Sequence, residues 1–278
     1  MINALCVDVE YWFCNEFLTK YLPEEKEDQL TESVTPILHL LDTYNTKATF
    51  FILGTVAEQY PEIVETIFKR GHEIASHAYS HKTLYELGKE GFEEEIKKSI
   101  DLLQSITGEM PIGFRAPSFS INQSTSWAFE ILKRYGFKYD ASIFPIKTML
   151  YGVPKAPLYP YRPSIEDITK EDHSNSLVEF PMTVIRLGVN FPVAGGFYLR
   201  VLPFWFLKLA IKRVNKTRPA IIYIHPWETY PGTPRLECLP FFSRFVTYQG
   251  KDSALGKFEG LIRDFEFRPL REFLGEVR

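Results

Sequence analysis

Residues 48–81 read ATFFILGTVAEQYPEIVETIFKRGHEIASHAYSH. Ala48–Leu53 is a short, nearly unbroken apolar run, the mark of a strand covered on both faces. From Val56 to Arg70 apolar residues return at helical spacing and Gly71 offers a C-cap, so the spacing predicts a helix there. Glu73–Ser76 is a further short strand. Strand, helix and strand in so short a span point to parallel neighbours joined by a crossover helix.

The same alternation extends both ways. Upstream, Ala4–Val9 reads as a buried strand and Ser33–Tyr44 as a helix with Val34, Ile37, Leu38 and Leu41 on one face. Downstream, Phe92–Ile106 is the clearest helix, with Ile96, Ile100, Leu103 and Ile106 in a stripe before Gly108. Pro111–Arg115, Lys138–Ser142, Leu177–Pro181 and Ala220–His225 are expected strands. Ser124–Tyr135, Val201–Val214 and Leu255–Phe265 are expected helices. Such a chain is α/β, built on a parallel sheet that is open or closed into a barrel. Ile143–Glu171 breaks the rhythm with five prolines, and loops of that length usually carry function or irregular structure.

The chain has 278 residues, 45% of them apolar and 24% charged, which excludes disordered, collagen-like and coiled-coil proteins. The net charge of −3 without a basic block argues against a nucleic-acid partner. Cys6, Cys14 and Cys238 are odd in number and lack a C-x-x-C pair, so no disulfide framework is expected and a reducing compartment fits. The longest apolar stretch, Leu202–Ile211, contains Lys208 and is too short to span a bilayer. With no basic leader ahead of Asp8, the expectation is a soluble, cytoplasmic chain without a transmembrane segment. Oligomeric state is not legible.

Polar residues cluster where the strands end. Asp8 and Glu10 close the first strand and, one residue apart, face the same side. His77 and His81 follow the third, Arg115 ends the fourth, Asp140 lies in the next, and His225 ends a late one. Ligands bind at the carboxyl ends of parallel strands, so these side chains are expected on one rim. H-x-x-x-H spacing brings two imidazoles within reach of one metal, and a carboxylate from another strand completes a set that leaves coordination positions open. Taken singly, two surface histidines, a solvated carboxylate pair, a core histidine and a structural arginine explain the same residues.

In combination, HAYSH, RAPSFS and a late IHPWE after an acidic first strand resemble the polysaccharide deacetylases of carbohydrate esterase family 4, the NodB type. DVEYW, KYDASIFP, GGFYLR and HPWETYPGTPR are similar to a subgroup found with bacterial exopolysaccharide gene clusters. The resemblance implies a distorted (β/α)7 barrel in a single domain over 1–278, with about 181–274 a family-specific part packed on it. It implies a divalent metal, zinc first, held by Glu10, His77 and His81, and hydrolysis of N-acetyl groups on an amino-sugar glycan. Asp8 is then the base, Arg115 its orienting partner and His225 the acid, with Asp140 paired to His225. A backbone N–H near Tyr11 or Trp12 would face the oxyanion, and Trp12, Phe119, Phe144 and Trp227 would line the groove. Two departures stand out. The acidic pair is spaced, Asp8-Val9-Glu10, which leaves the swapped assignment of base and ligand open. Ala78 follows the first histidine where Ser or Thr is usual, a loss that Tyr79 and Ser80 would make good. A non-catalytic carbohydrate-binding protein on the same fold and a hydrolase of a small non-sugar amide are the alternatives.

Overall fold

The computed structural model describes residues 1–277. Among the described residues there are ten strands: β1 Asn3–Val9, β2 Thr49–Ile52, β3 Glu73–Ser76, β4 Gly113–Phe114, β5 Tyr139–Asp140, β6 Val178–Glu179, β7 Val184–Leu187, β8 Val189–Pro192, β9 Ile221–Ile224 and β10 Phe267–Arg268. Seven lie side by side, all parallel, in the order β9-β1-β2-β3-β4-β5-β6, and β10 pairs with the start of β1. This curled half-barrel with helices packed around it is the α/β architecture expected.

β1 is central. Every residue of Asn3–Val9 is buried, as an apolar strand covered on both faces must be. Outside it, Val34, Ile37 and Leu41 of the helix Leu30–Thr43 pack with Leu5, Val7 and Phe50. Inside, Cys6, Phe51, Tyr139, Phe180 and Tyr223 fill the barrel. Among the described residues no strand pairing joins β6 to β9. That seam is crossed by single hydrogen bonds, from Ile221 N–H to Thr183 Oγ1 (2.6 Å) and from Tyr223 N–H to the Ala194 carbonyl (2.9 Å).

Several expected elements are subdivided, and proline is the reason in two cases. The helix over Val56–Arg70 is two, Gly54–Gln59 and Pro61–Lys69, because Pro61 cannot donate within a helix but suits its first turn. Val201–Val214 likewise splits at Pro203 into Gly196–Val201 and Phe204–Val214. The helix expected over Phe92–Ile106 lies within Leu84–Thr107, which Gly88 (φ +63°) breaks into a short first turn, opened by a reciprocal Thr83–Glu86 cap, and the main helix after it. Ser124–Tyr135 keeps only Ala128–Arg134 as α-helix. The antiparallel hairpin β7–β8 was not anticipated; its second strand is half-exposed and has no continuous apolar run. Cys6, Cys14 and Cys238 are free thiols. Among the described residues, no helix is long and apolar enough to cross a membrane.

Candidate active site

The strand register sets the site. β1 aligns Asp8 with Phe51 of β2 and Val7 with Ile224 of β9, so Glu10 and His225 emerge from neighbouring carboxyl ends. Ser76 of β3 pairs with Phe114 of β4, which starts His77 and Arg115 at one level. Asp8, Glu10, His77, His81, Arg115 and His225 all border one cavity of about 340 Å³, within the range of small-molecule sites.

Glu10, His77 and His81 each direct one ligand atom into a cluster no wider than 4.8 Å. Glu10 Oε2 lies 2.7 Å from His81 Nε2 and 3.5 Å from His77 Nε2. His77 Nδ1 is 2.8 Å from the Arg115 carbonyl, which can only accept. The proton therefore sits on Nδ1, leaving the Nε2 lone pair free, the arrangement metal-binding histidines use. Trp227 Nε1–H donates to Glu10 Oε1 (3.1 Å) and fixes that carboxylate. Burial alone would raise the Glu10 pKa, but His225 and His81 hold it well below the usual carboxylate value. Burial opposes charge on His81, and Glu10 raises its pKa nonetheless. The donor set thus fits a divalent ion of the zinc type: one carboxylate oxygen and two imidazole nitrogens, buried and converging.

The HAYSH loop is held by a residue the motif reading missed. The Tyr79 and Ser80 N–H groups both donate to Glu95 Oε2 at 3.1 Å, and the Ser80 hydroxyl bonds to the same carboxylate. Ala78 and His81 adopt left-handed backbone, φ +61° in each, which non-glycine residues keep only where surroundings enforce it. Glu95 supplies that enforcement, and the side chain absent at Ala78 is not needed.

Arg115 is wholly buried. Its Nη1 meets Asp8 Oδ1 at 2.6 Å, Nε donates to the Ala141 carbonyl (2.9 Å), and the guanidinium lies 4.2 Å from the Phe51 ring centre. Such a pair is tolerable only because its remaining polar atoms are satisfied, and removing one partner typically costs about 3–5 kcal/mol. Asp8 Oδ2 and Glu10 Oε1 lie 3.8 and 3.7 Å from His225 Nε2.

The expected pairing of Asp140 with His225 is not what the structure contains. Asp140 bonds to the Ser142 hydroxyl (2.6 Å) and Ser142 N–H (3.1 Å), on the far side of Arg115. Burial and then its contact with Asp140 push the Glu179 carboxyl up. His225 Nδ1 instead meets Glu228 Oε2 at 2.7 Å, and Arg200 grips Glu228 Oε1 through Nε and Nη2, both at 2.9 Å. Arg200 is itself anchored on the carbonyls of Val246 and Gln249. Burial opposes the His225 cation, yet Glu10 and Glu228 raise its pKa to about 10. The signal for Glu228 was its place three residues after His225, at the start of the turn Pro226–Thr229. Two of the expected groove aromatics also move. Trp12 is buried, its indole N–H donating to the Glu27 carbonyl, and Phe144 is core; Phe119 and Trp227 do line the cavity, with Tyr151, Phe197 and Tyr198.

Comparison with known proteins bears on the family and the fold. Residues 25–139 match the family described as polysaccharide deacetylase, and residues 141–275 match a domain of unknown function, DUF3473. The peptidoglycan deacetylase of Helicobacter pylori is 30% identical over 134 residues, which cover 46% of this chain and 45% of that protein. The chain spans less than half the length of the curated relatives it matches first. The Bc1960 peptidoglycan N-acetylglucosamine deacetylase shares the fold at 19% identity, with a TM-score of 0.52 over 98% of this chain and 86% of that one. So does BA3943 of Bacillus anthracis, described as a family 4 pseudoenzyme, at 14% identity and a TM-score of 0.54 over 100% and 66%. The chain thus carries, in order, a region that matches the polysaccharide deacetylase family and a region that matches DUF3473.

Proposed function

We propose that this protein is a metal-dependent hydrolase that removes N-acetyl groups from amino sugars of a glycan, with an exopolysaccharide as the substrate class. The observation that carries this reading is the separation of the two acids: Glu10 joins the imidazoles of His77 and His81, while Asp8 stands apart on Arg115. Glu10, His77 and His81 would hold the ion, most simply zinc. When bound, such an ion lowers the pKa of water and polarises an acyl oxygen. Asp8, oriented by Arg115, takes the proton of the attacking water. A backbone N–H near Tyr11 or Trp12 is assigned to the developing oxyanion. His225, held by Glu228, gives its proton to the departing amine. Glu228 here fills the place the resemblance gave to Asp140.

The test is acetate release from N-acetylglucosamine oligomers together with metal content. Asp8→Asn is expected to cut kcat by about 10²–10⁴-fold while leaving the metal bound, and His225→Ala to fall in the same range. A His77→Ala, His81→Ala double variant is expected to lose the metal. If Asp8→Asn loses the ion and Glu10→Gln keeps it, base and ligand are reversed. If the metal-replete wild type releases no acetate from any amino-sugar polymer, the glycan deacetylase reading fails and a carbohydrate-binding role or hydrolysis of a small non-sugar amide takes its place.

A further inference from the structure

Buried tyrosines in this protein normally find partners. Tyr139 bonds to Glu73 and Tyr161 to the Ile168 carbonyl. Three that border the catalytic cavity do not. Among the described residues, the hydroxyls of Tyr151, Tyr198 and Tyr223 meet no hydrogen-bond partner, although Tyr223 is 5% exposed and the other two are half-buried. Their rings are fixed by edge and face contacts: Tyr223 to Phe119 at 5.2 Å, Phe119 to Tyr151 at 5.3 Å, and Phe144 to both Tyr151 and Tyr198 at 6.0 and 6.4 Å. Rigid rings thus present unspent hydroxyls at the rim of His225, whose ring lies 5.5 Å from that of Tyr223.

The charges around this wall are already spent. Arg115 is committed to Asp8, and Arg200 to Glu228 and two carbonyls. No lysine lines the cavity; His225 is committed to Glu228, Glu10 to His77 and His81, and the Glu16 carboxylate accepts from Ser118. Hydroxyls that donate and accept, set among aromatic faces without a free cation, match an uncharged polyol and disfavour a carboxylate or phosphate.

We propose that Tyr151, Tyr198 and Tyr223, all supplied by the DUF3473 region, form a subsite for an uncharged sugar of the glycan beside the scissile amide, selecting against sugars that carry an acidic substituent. This rests on the glycan deacetylase reading above and adds a substrate preference to it. Sugar binding is read directly, by calorimetry on the full chain, so the two ideas fail separately. The probes are the N-acetylglucosamine pentamer and an oligomer of equal length in which N-acetylmuramic acid alternates with N-acetylglucosamine. The neutral pentamer is expected to bind at least about ten-fold more tightly. Tyr151→Phe and Tyr198→Phe, which keep the rings and hence the packing, are each expected to weaken it about 3–10-fold, in line with one lost hydrogen bond, with melting temperatures unmoved. In turnover the same loss is expected in KM rather than kcat. Equal binding of the two oligomers, no binding of either, or Phe variants that bind like the wild type would overturn the subsite, even if acetate is released. Tyrosine-dependent binding without acetate release would uphold the subsite and remove the deacetylase reading.

Discussion

Glu228 shows how a single carboxylate can be read wrongly from spacing and plainly from geometry. It accepts from His225 Nδ1 at 2.7 Å and is held by a buried arginine, whereas Asp140 is turned toward Ser142 and Glu179. Glu228 acts through His225, as a positioning residue. Glu228→Gln is expected to lower kcat by about ten-fold or more, since it removes the charge that orients the imidazole. Asp140→Asn, which can still accept from Ser142, is expected to stay within about three-fold. Steady-state kinetics on one oligomer compares them; an equal loss in both would return the role to Asp140. The convergence of Asp8, Glu10, His77, Arg115 and His225 could be anticipated because each lies at the end of an apolar strand, where a polar side chain has little reason to be unless it faces a site, and that of His81 from its spacing to His77. The places of Glu228, Arg200 and Glu95 could not. They sit in helical or turn segments where charged residues are ordinary, and only the fold brings them under the loop ends.

At the scale of elements, the turn into the helix Gly196–Val201 is fitted against the site. A Cβ on Gly196 would lie 1.4 Å from Glu228 Oε2, and one on Gly195 within 2.3 Å of the Tyr223 hydroxyl end. Backbone passes here because neither residue has a side chain. Gly196→Ala is expected to dislodge Glu228, costing about 1–3 kcal/mol of stability and activity with it. Gly256→Ala is the contrast. That helix position in Ala254–Asp264 has nothing within 4 Å of a new Cβ, and alanine there is expected to stabilise by about 0.5–1 kcal/mol. Thermal melting of the two variants checks both signs. The strands were readable from short apolar runs, and the helices from their stripes. Their breaks at Pro61 and Pro203 carried a local signal that periodicity overrode, while β7–β8 carried almost none, being partly exposed and packed on the helix Phe204–Val214.

At the scale of the whole molecule, stability is tied to pH by a histidine remote from the site. His72 accepts from the Ala48 N–H through Nδ1 (3.3 Å), and its Nε2 is buried without a partner. Burial, then Lys47, brings its pKa down to about 4 from 6.5. The folded state thus keeps it neutral where the unfolded chain binds a proton, so stability rises from pH 4 to 6.5 and is flat in this respect outside that window. The contribution is at most about 3 kcal/mol. Urea midpoints across that range are expected to rise less steeply in His72→Gln, whose amide oxygen can still accept from Ala48; parallel profiles would exclude His72 as the source. The pairing of β1 has a consequence in time. One edge of this strand is completed by β9, and its start by β10, both from beyond residue 220. Synthesis at about 5–20 residues per second leaves β1 with that edge bare for on the order of ten seconds or more. The segment made first carries the proposed base and metal ligands, and β9, arriving late, delivers the proposed acid on the strand that closes the bare edge. A nascent chain therefore closes that edge and gains its proposed acid in one step, and a chain interrupted before that step has neither.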